Sequence, residues 1–132
     1  LTIPEVEYDV DFGVESKSLS TMNDQLSLFN ETLSIYCSDE KIYFNSKGVD
    51  GELKVTLYDD NCDHITEYSI AEDLILNLDF SIKHFSLFCK FSKISDVIFL
   101  SFANAYPLKF EYVFPEDSKI RLRFYLAPKI SE

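Results

Sequence analysis

The sequence is poor in glycine and proline, with 3 Gly and 4 Pro among 132 residues. So few of these residues argue against a disordered or low-complexity linker. They also leave no glycine-rich phosphate loop and no nucleophile elbow, so we predict no catalytic residue, no cofactor and no enzymatic activity. No apolar run approaches the ~20 residues that a membrane span requires, which predicts a soluble, globular chain without a membrane partner.

Cysteine is also scarce, and the three cysteines cannot all pair within one chain. No secretory signal precedes Leu1, and together these features favour a reducing compartment. Cys62 lies in the string Asn61-Cys62-Asp63-His64, which contains side chains that can bind metals. A few such residues in one acidic loop lack the ligand spacing of a zinc site, so we predict no metal site.

Basic residues are outnumbered, 12 against 23 acidic ones, which gives a formal net charge of −11. This balance alone argues against nucleic-acid binding, because phosphate contacts need lysine and arginine. Residues 81–93 reverse the balance, since they contain Lys83, Lys90 and Lys93 and no acidic residue. A negative body with one positive face can admit DNA at that face and repel it elsewhere. The simpler interpretation is an acidic chain that its charge keeps in solution.

Apolar residues at helical spacing predict two helices. The first covers residues 16–30, with Ser16 or Ser18 as its cap. Its apolar stripe consists of Leu19, Met22, Leu26 and Phe29. The second covers residues 81–91 and buries Ile82, Phe85, Phe88 and Cys89. At about 100° per residue its three lysines fall within an arc of about 80°, largely on the opposite side, so we expect them to form an exposed face.

Predicted strands follow each helix in the same order. They cover residues 33–37, 41–45 and 52–58 after the first helix, and 97–103, 108–114 and 119–126 after the second. Residues 8–12 and 74–80 are the predicted leading strands, and residues 59–73 are predicted to be a polar crossover. Equivalent positions such as Leu19 and Ile82 lie roughly 63 residues apart, which indicates a duplicated βαβββ unit and an α+β fold.

Two strings at opposite ends of the chain carry a family resemblance. Residues 1–8, Leu-Thr-Ile-Pro-Glu-Val-Glu-Tyr, and residues 124–130, Phe-Tyr-Leu-Ala-Pro-Lys-Ile, resemble the end of the interdomain connector and the C-terminal tail of the eukaryotic DNA sliding clamp, proliferating cell nuclear antigen. Between them, residues 80–85 and 105–112 resemble that family's second helix and its Pro-Leu-x-x-Glu-Tyr strand. The resemblance extends along the whole chain.

The resemblance implies a DNA clamp domain, in which a duplicated βαβββ unit places two helices on one face of curved antiparallel sheets. It divides the chain into the end of the connector, residues 1–7, a C-terminal clamp domain, residues 8–126, and a tail, residues 127–132. There is no initiator Met, and nothing corresponds to the family's N-terminal domain. We therefore expect the chain to be the C-terminal domain of a two-domain clamp.

A groove for client peptides is the first site that the resemblance implies. It combines connector, strand and tail residues into a shallow apolar pocket that would accept a helical turn of the client. The assigned residues are Leu1, Ile3, Pro4, Pro107, Tyr125, Ala127, Pro128 and Ile130. Read without the resemblance, they would be ordinary linker and terminal hydrophobic residues.

A DNA-facing helix surface is the second implied site. In this family the helices line a central hole, where basic residues contact phosphates without reading bases. Lys83 and Lys90 match positively charged positions of the family, and Lys93 is adjacent to them. On the first helix Thr21 and Asp24 stand where the family tends to carry arginines, which leaves Lys17 as its only base. The alternative for all four lysines is a solvated helix surface.

A subunit-joining strand edge is the third implied site, because an exposed edge can pair with the edge of a neighbour. The strand consists of Glu52, Leu53, Lys54, Val55, Thr56, Leu57 and Tyr58. The alternative is an edge blunted by Glu52 and Lys54. Many family members carry a modifiable lysine in the turn after the cysteine-bearing strand. Here that position is Asp39, so we do not expect that modification.

These assignments predict a non-enzymatic processivity factor, in the nucleus, that tethers a DNA polymerase and other client proteins to duplex DNA. Its implied partners are the DNA backbone, clients with short peptide motifs, the clamp loader and, in the full-length protein, two further copies in a homotrimer. One alternative is a checkpoint-clamp subunit, although the Leu-Ala-Pro-Lys-Ile tail favours the replicative type. Another is a free-standing peptide-binding adaptor that does not bind DNA.

Overall fold

The computed structural model describes residues 7–61 and 65–129 of the chain. Within these residues it contains nine strands and two helices, in agreement with the expected α+β clamp domain. In chain order they are β1 (Val10–Glu15), α1 (Ser16–Leu26), β2 (Thr32–Cys37), β3 (Ile42–Lys47), β4 (Glu52–Tyr58), β5 (Ile65–Ile70), β6 (Leu76–Ser81), α2 (Ile82–Cys89), β7 (Val97–Phe102), β8 (Leu108–Tyr112) and β9 (Leu122–Leu126). The eight predicted strands begin and end within three residues of their predicted positions.

The strands form two antiparallel sheets that exchange their leading strands. One sheet has the order β5-β1-β7-β8-β9 and the other has the order β4-β3-β2-β6. The leading strand of each βαβββ unit therefore pairs with strands of the other unit, β1 with β7 and β6 with β2. This exchange joins the two units into one domain.

The predicted polar crossover over residues 59–73 is wrong, because it contains strand β5. β5 pairs with β1 at the edge of the five-stranded sheet, and the pairing shifts register between Gly13 and Val14. Ile65 is buried, whereas Thr66 and Glu67 are both exposed. The shift interrupts the alternation of apolar and polar residues that marks a regular strand.

The first helix ends earlier than predicted. It stops at Leu26, and Phe29 lies beyond it against the turn between β3 and β4. A Cβ atom added at Gly48 would stand only 1.9 Å from the Phe29 carbonyl oxygen, so glycine permits this close approach. The predicted cap is also wrong, because Glu15 occupies the N-cap position without a side-chain cap. The buried Ser16 hydroxyl is instead within hydrogen-bond distance of the carbonyl oxygens of Ser92 and Ser95, at 3.0 and 2.5 Å.

One hydrophobic core joins both sheets and both helices. Alternate residues of the strands point into it, as do Leu19 and Leu26 of α1 and Phe85 of α2. The Phe85 ring makes edge contacts with Phe44 of one sheet and Phe110 of the other, with centroids 6.2 and 5.4 Å apart. Since a single aromatic side chain bridges the two sheets, the relative position of the helices and sheets is defined by close packing.

Candidate functional site

Helix α2 presents its lysines to solvent. Ile82, Phe85 and Cys89 are buried, whereas Lys83 is exposed on the first turn and Lys90 is exposed at the C-cap. Lys93 is also exposed and lies in the turn beyond the helix. The helix is shorter than predicted, but Lys83, Lys90 and Lys93 are all accessible. Their contact with DNA stays a prediction.

Helix α1 packs beside α2 through a buried polar contact. The Asn23 side-chain amide donates a hydrogen bond of 2.6 Å to the Ser86 hydroxyl, which in turn donates to the Ile82 carbonyl oxygen at 2.7 Å. Asn23 is only 2% exposed, so this contact fixes one helix against the other. Lys17, Thr21 and Asp24 remain exposed on α1. The formal charges of these three side chains sum to zero, unlike those of the α2 lysines.

Part of the predicted peptide groove lies where β8 and β9 pair. Tyr125 stands opposite Lys109 in this pairing, and Pro107 immediately precedes β8. Tyr125 is 36% exposed, Ala127 is exposed, and Pro107 and Pro128 are half-buried. The remaining predicted residues, Leu1, Ile3, Pro4 and Ile130, lie outside the described residues. That these residues bind a peptide stays a prediction.

Tyr8 belongs to this surface and is absent from the predicted groove. The Lys109 ammonium lies 5.3 Å from the centre of the Tyr8 ring. Burial raises the pKa of Tyr8, and the neighbouring Tyr125 and Asp11 raise it further. Tyr8 is therefore a neutral, half-buried aromatic side chain beside Tyr125. The sequence pattern places Tyr8 in the leading strand of residues 8–12, but the observed strand β1 begins at Val10. Tyr8 also ends the string of residues 1–8 that carries the family resemblance.

The tail connects the two sheets. After β9 it crosses to the other sheet, where the Lys129 main-chain N–H donates to the Asp79 carbonyl oxygen at 2.7 Å. The Lys129 side chain donates to the Thr32 hydroxyl, also at 2.7 Å. In β9, from which the tail starts, the Phe124 ring stacks on Phe88 of α2 with centroids 4.6 Å apart. The tail is thus tied to both sheets, and the strand that leads into it packs on α2.

Strand β4, the predicted subunit-joining strand, is the outer strand of its sheet. Its Glu52 and Lys54 side chains are exposed, and Leu57 is fully buried. The Lys54 ammonium lies 4.3 Å from the centre of the Tyr43 ring, on the neighbouring strand. A cavity of about 440 Å³ separates Val55 from the exposed side of α1. The edge position that subunit joining needs is present, and its role stays a prediction.

The cysteines and the other side chains that could suggest catalysis or metal binding form no such site in the part of the chain that the structure describes. Burial raises the pKa of the Cys37 and Cys89 thiols to about 12, so neither forms a thiolate near neutral pH. In residues 7–61 and 65–129 no three His, Cys, Asp or Glu side chains are placed to bind a metal ion. Cys62, Asp63 and His64 fall outside these ranges. No described helix is long and apolar enough to cross a membrane.

Comparison with known proteins identifies the family. The model of the family "Proliferating cell nuclear antigen, C-terminal domain" matches residues 2–129. The chain belongs to this family. Proliferating cell nuclear antigen of Caenorhabditis elegans is 36% identical, over 100% of this chain and 50% of its own length. The Chaetomium thermophilum protein of the same name is 32% identical, over 100% of this chain and 51% of its own length.

A viral relative carries a more explicit name. "Probable DNA polymerase sliding clamp 2" of Paramecium bursaria Chlorella virus 1 is 25% identical, over 100% of this chain and 47% of its own length. The chain therefore spans about half the length of the curated relatives it matches. Because the match to the proliferating cell nuclear antigen C-terminal domain covers both βαβββ units, the duplication lies within one domain of this family.

Asp39 is the residue that, by the family resemblance, takes the place of a modifiable lysine. It is exposed in the turn between β2 and β3, and its carboxylate accepts a hydrogen bond of 3.3 Å from the Asp73 main-chain N–H. The turn is held further by the Tyr68 hydroxyl, which donates to the Ser38 carbonyl oxygen at 2.5 Å. The absence of that modification stays a prediction.

Proposed function

We propose that the chain is the C-terminal half of a DNA sliding clamp subunit, which acts without catalysis as a processivity factor in the nucleus. It tethers DNA polymerase and other client proteins to duplex DNA and is placed around that DNA by a clamp loader. Membership in the proliferating cell nuclear antigen family supports this proposal. The observation that carries the DNA contact is the set of exposed lysines on and beyond α2, in a stretch without acidic residues, on a chain of formal charge −11.

Contact with DNA in this proposal is weak and independent of base sequence. The lysine ammonium groups would meet phosphates, which all sequences share. The acidic remainder of the chain would repel DNA, so the duplex is confined to the lysine surface. Weak contacts suffice because a closed ring holds DNA topologically, and exchangeable contacts allow the ring to slide.

Closure of the ring is supported by the edge position of β4. β4 is the last strand of the first βαβββ unit and β9 is the last strand of the second, and each ends a sheet. Edge strands have unpaired main-chain groups that can pair with a neighbouring edge. We assign β4 to pairing with the N-terminal domain of the next subunit, with the cavity beside Val55 receiving apolar side chains of that neighbour. Three subunits would then form a homotrimer.

Client capture uses the surface around Tyr125. Pro107, Ala127, Pro128 and Tyr8 surround it with accessible apolar and aromatic atoms, which suit the aromatic and aliphatic anchors of a short helical turn. Leu1, Ile3, Pro4 and Ile130 would complete the groove. The tail beyond β9 would offer main-chain hydrogen-bond partners along the peptide.

A topological experiment tests the proposal. The chain is fused to the remaining half of a curated relative. A clamp loader then loads this polypeptide onto nicked circular duplex DNA, and the protein–DNA complexes are separated from free protein at high salt. We expect it to stay on circular DNA and to be lost when the DNA is cut to a linear form, because a ring slides off an end. Equal retention on circular and linear DNA would mean ordinary binding and would refute the clamp function.

A further inference from the structure

A cleft of about 470 Å³ lies between the end of α1, the start of β2, the first turn of α2 and the tail. Two lysines from distant parts of the sequence, Lys83 of α2 and Lys129 of the tail, line this cleft. The sequence pattern does not predict Lys129 as a DNA-facing residue. Its main chain is fixed by the hydrogen bond to Asp79, so the tail itself brings the second positive charge to α2.

Neither lysine charge is neutralised by an acidic side chain. In the described part of the chain, the Lys83 ammonium makes no hydrogen bond or ion pair, and the Lys129 ammonium donates to the neutral Thr32 hydroxyl. Glu31 also lines the cleft, but its carboxylate pairs with neither lysine. The cleft therefore has a net positive charge, with its two ammonium groups on different elements.

The cleft is bordered by apolar side chains that the core does not use. Leu28 is 80% exposed and Phe29 is 37% exposed, and both line the cleft. Each strand of a DNA duplex offers both kinds of contact. Its anionic phosphates can meet the lysines, and the carbon atoms of its deoxyribose can meet the apolar border. A free inorganic anion would satisfy the lysines alone.

We propose that Lys129 is a further DNA-contacting residue, which holds a backbone phosphate together with Lys83 in this cleft. The inference rests on the proposed clamp function and extends the DNA surface from α2 onto the tail. Lys129 directly follows Ala127 and Pro128, which belong to the proposed client groove. Client capture and DNA contact therefore occupy adjacent residues of the same tail, so a captured client is held where the DNA backbone passes.

The test measures the affinity of the chain for a short DNA duplex by NMR titration at low and moderate salt. Lys129→Ala is compared with Lys83→Ala as the positive control. Lys41→Ala removes an exposed lysine in the turn between β2 and β3, which follows the end of β2 that is distant from Thr32, and is the matched control. We expect Lys129→Ala to weaken binding roughly two- to five-fold, the size of an exposed ion pair. The log–log salt slope should become shallower, by no more than about 0.9, because Lys129 shares its phosphate with Lys83.

Two further variants distinguish the effect of the Lys129 charge from an effect of the tail position. Lys129→Arg keeps the charge and should retain most of the affinity. Thr32→Val removes the hydroxyl that accepts from Lys129 but keeps the lysine, and it should leave the affinity unchanged. If Thr32→Val and Lys129→Ala weaken binding equally, the effect comes from the position of the tail and the proposed contact is wrong.

The two controls also distinguish this inference from the proposed function. If Lys83→Ala weakens binding while Lys129→Ala behaves like Lys41→Ala, the inference fails and the proposed DNA surface on α2 stands. If neither Lys83→Ala nor Lys129→Ala differs from Lys41→Ala, both the inference and the proposed DNA surface are refuted.

Discussion

Asn23 of α1 donates its side-chain amide to the Ser86 hydroxyl of α2, and this 2.6 Å hydrogen bond lies between the two helices that we assign to the DNA side of the domain. Ser86→Ala would leave a buried amide without its acceptor, which costs about 1 to 3 kcal/mol in the free energy of unfolding. Replacing both partners, as Asn23→Leu with Ser86→Ala, should recover much of that loss. Urea unfolding of the two single variants and the double variant measures the coupling.

Ser20→Ala provides the control for this cycle. Ser20 lies on α1 and is half-buried, so its loss should change the free energy of unfolding by no more than about 0.5 kcal/mol. Equal effects of Ser20→Ala and Ser86→Ala would show that the buried hydrogen bond does not stabilise the helix pair.

The Asn23–Ser86 contact shows what apolar periodicity can predict and what it cannot. The apolar spacing of α1 and α2 predicts which sides of the helices are buried, because helical periodicity reflects burial. It does not reveal a polar pair inside the contact, since serine and asparagine are also common on exposed surfaces. The groove shows a similar limit. The family resemblance assigns Tyr125 to the groove, whereas the position of Tyr8 beside Lys109 depends on how the residues before β1 pack against β8.

Two of the errors in the predicted fold have clear physical causes. Phe29 continues the apolar stripe of α1, so the pattern extends the helix to residue 30, but the side chain packs on the turn between β3 and β4. The sequence pattern does not predict strand β5, because the shift near Gly13 places Thr66 and Glu67 between the core-facing Ile65 and the partly buried Tyr68. The end of α1 before Phe29 and the strand β5 both depend on contacts between distant parts of the sequence, so local periodicity does not predict them.

Gly48 should tolerate no side chain. Gly48→Ala would bring a Cβ atom to 1.9 Å from the Phe29 carbonyl oxygen, so the turn between β3 and β4 must move. We expect a loss of about 1 to 3 kcal/mol in the free energy of unfolding, as for other overpacked sites. The neighbouring Val49 is fully exposed, and Val49→Ala should change stability by less than about 0.5 kcal/mol. Urea unfolding checks both, and a Gly48→Ala chain as stable as the Val49→Ala chain would contradict the close approach.

The isolated chain should not form a closed trimer. The proposed ring interface pairs β4 with an edge of the other half of the neighbouring subunit, and this chain spans about half of its relatives. Sedimentation velocity should therefore detect no stable trimer of this chain alone, whereas the polypeptide joined to the remaining half should sediment as a trimer. A stable trimer of the isolated chain would overturn the assignment of β4.

Binding of the isolated chain to DNA should be weak and sensitive to salt. If Lys83, Lys90 and Lys93 each contact one phosphate, these three lysines contribute about −2.7 to the log–log salt slope. Replacing Lys83 and Lys90 by alanine should reduce the contribution of the three to about −0.9 and weaken binding strongly. Anisotropy titrations with duplexes of two unrelated sequences measure this, and Lys41→Ala is the control. Tight binding that differs between the two sequences would argue against a sliding role.

The groove around Tyr125 gives the sharpest prediction. A peptide with the client pattern of the family, a Gln followed by an aliphatic residue and then paired aromatics, should bind this chain. Tyr125→Ala should weaken binding by about 2 kcal/mol, roughly 30-fold, because a few buried anchors dominate such interfaces. Pro107→Ala, Tyr8→Ala and deletion of residues 127–132 should each weaken it as well. Asp59→Ala and Glu67→Ala, in the segment between β4 and β6, are the controls and should have no effect. Isothermal titration that finds the same affinity with and without the tail would remove the groove from the proposed function.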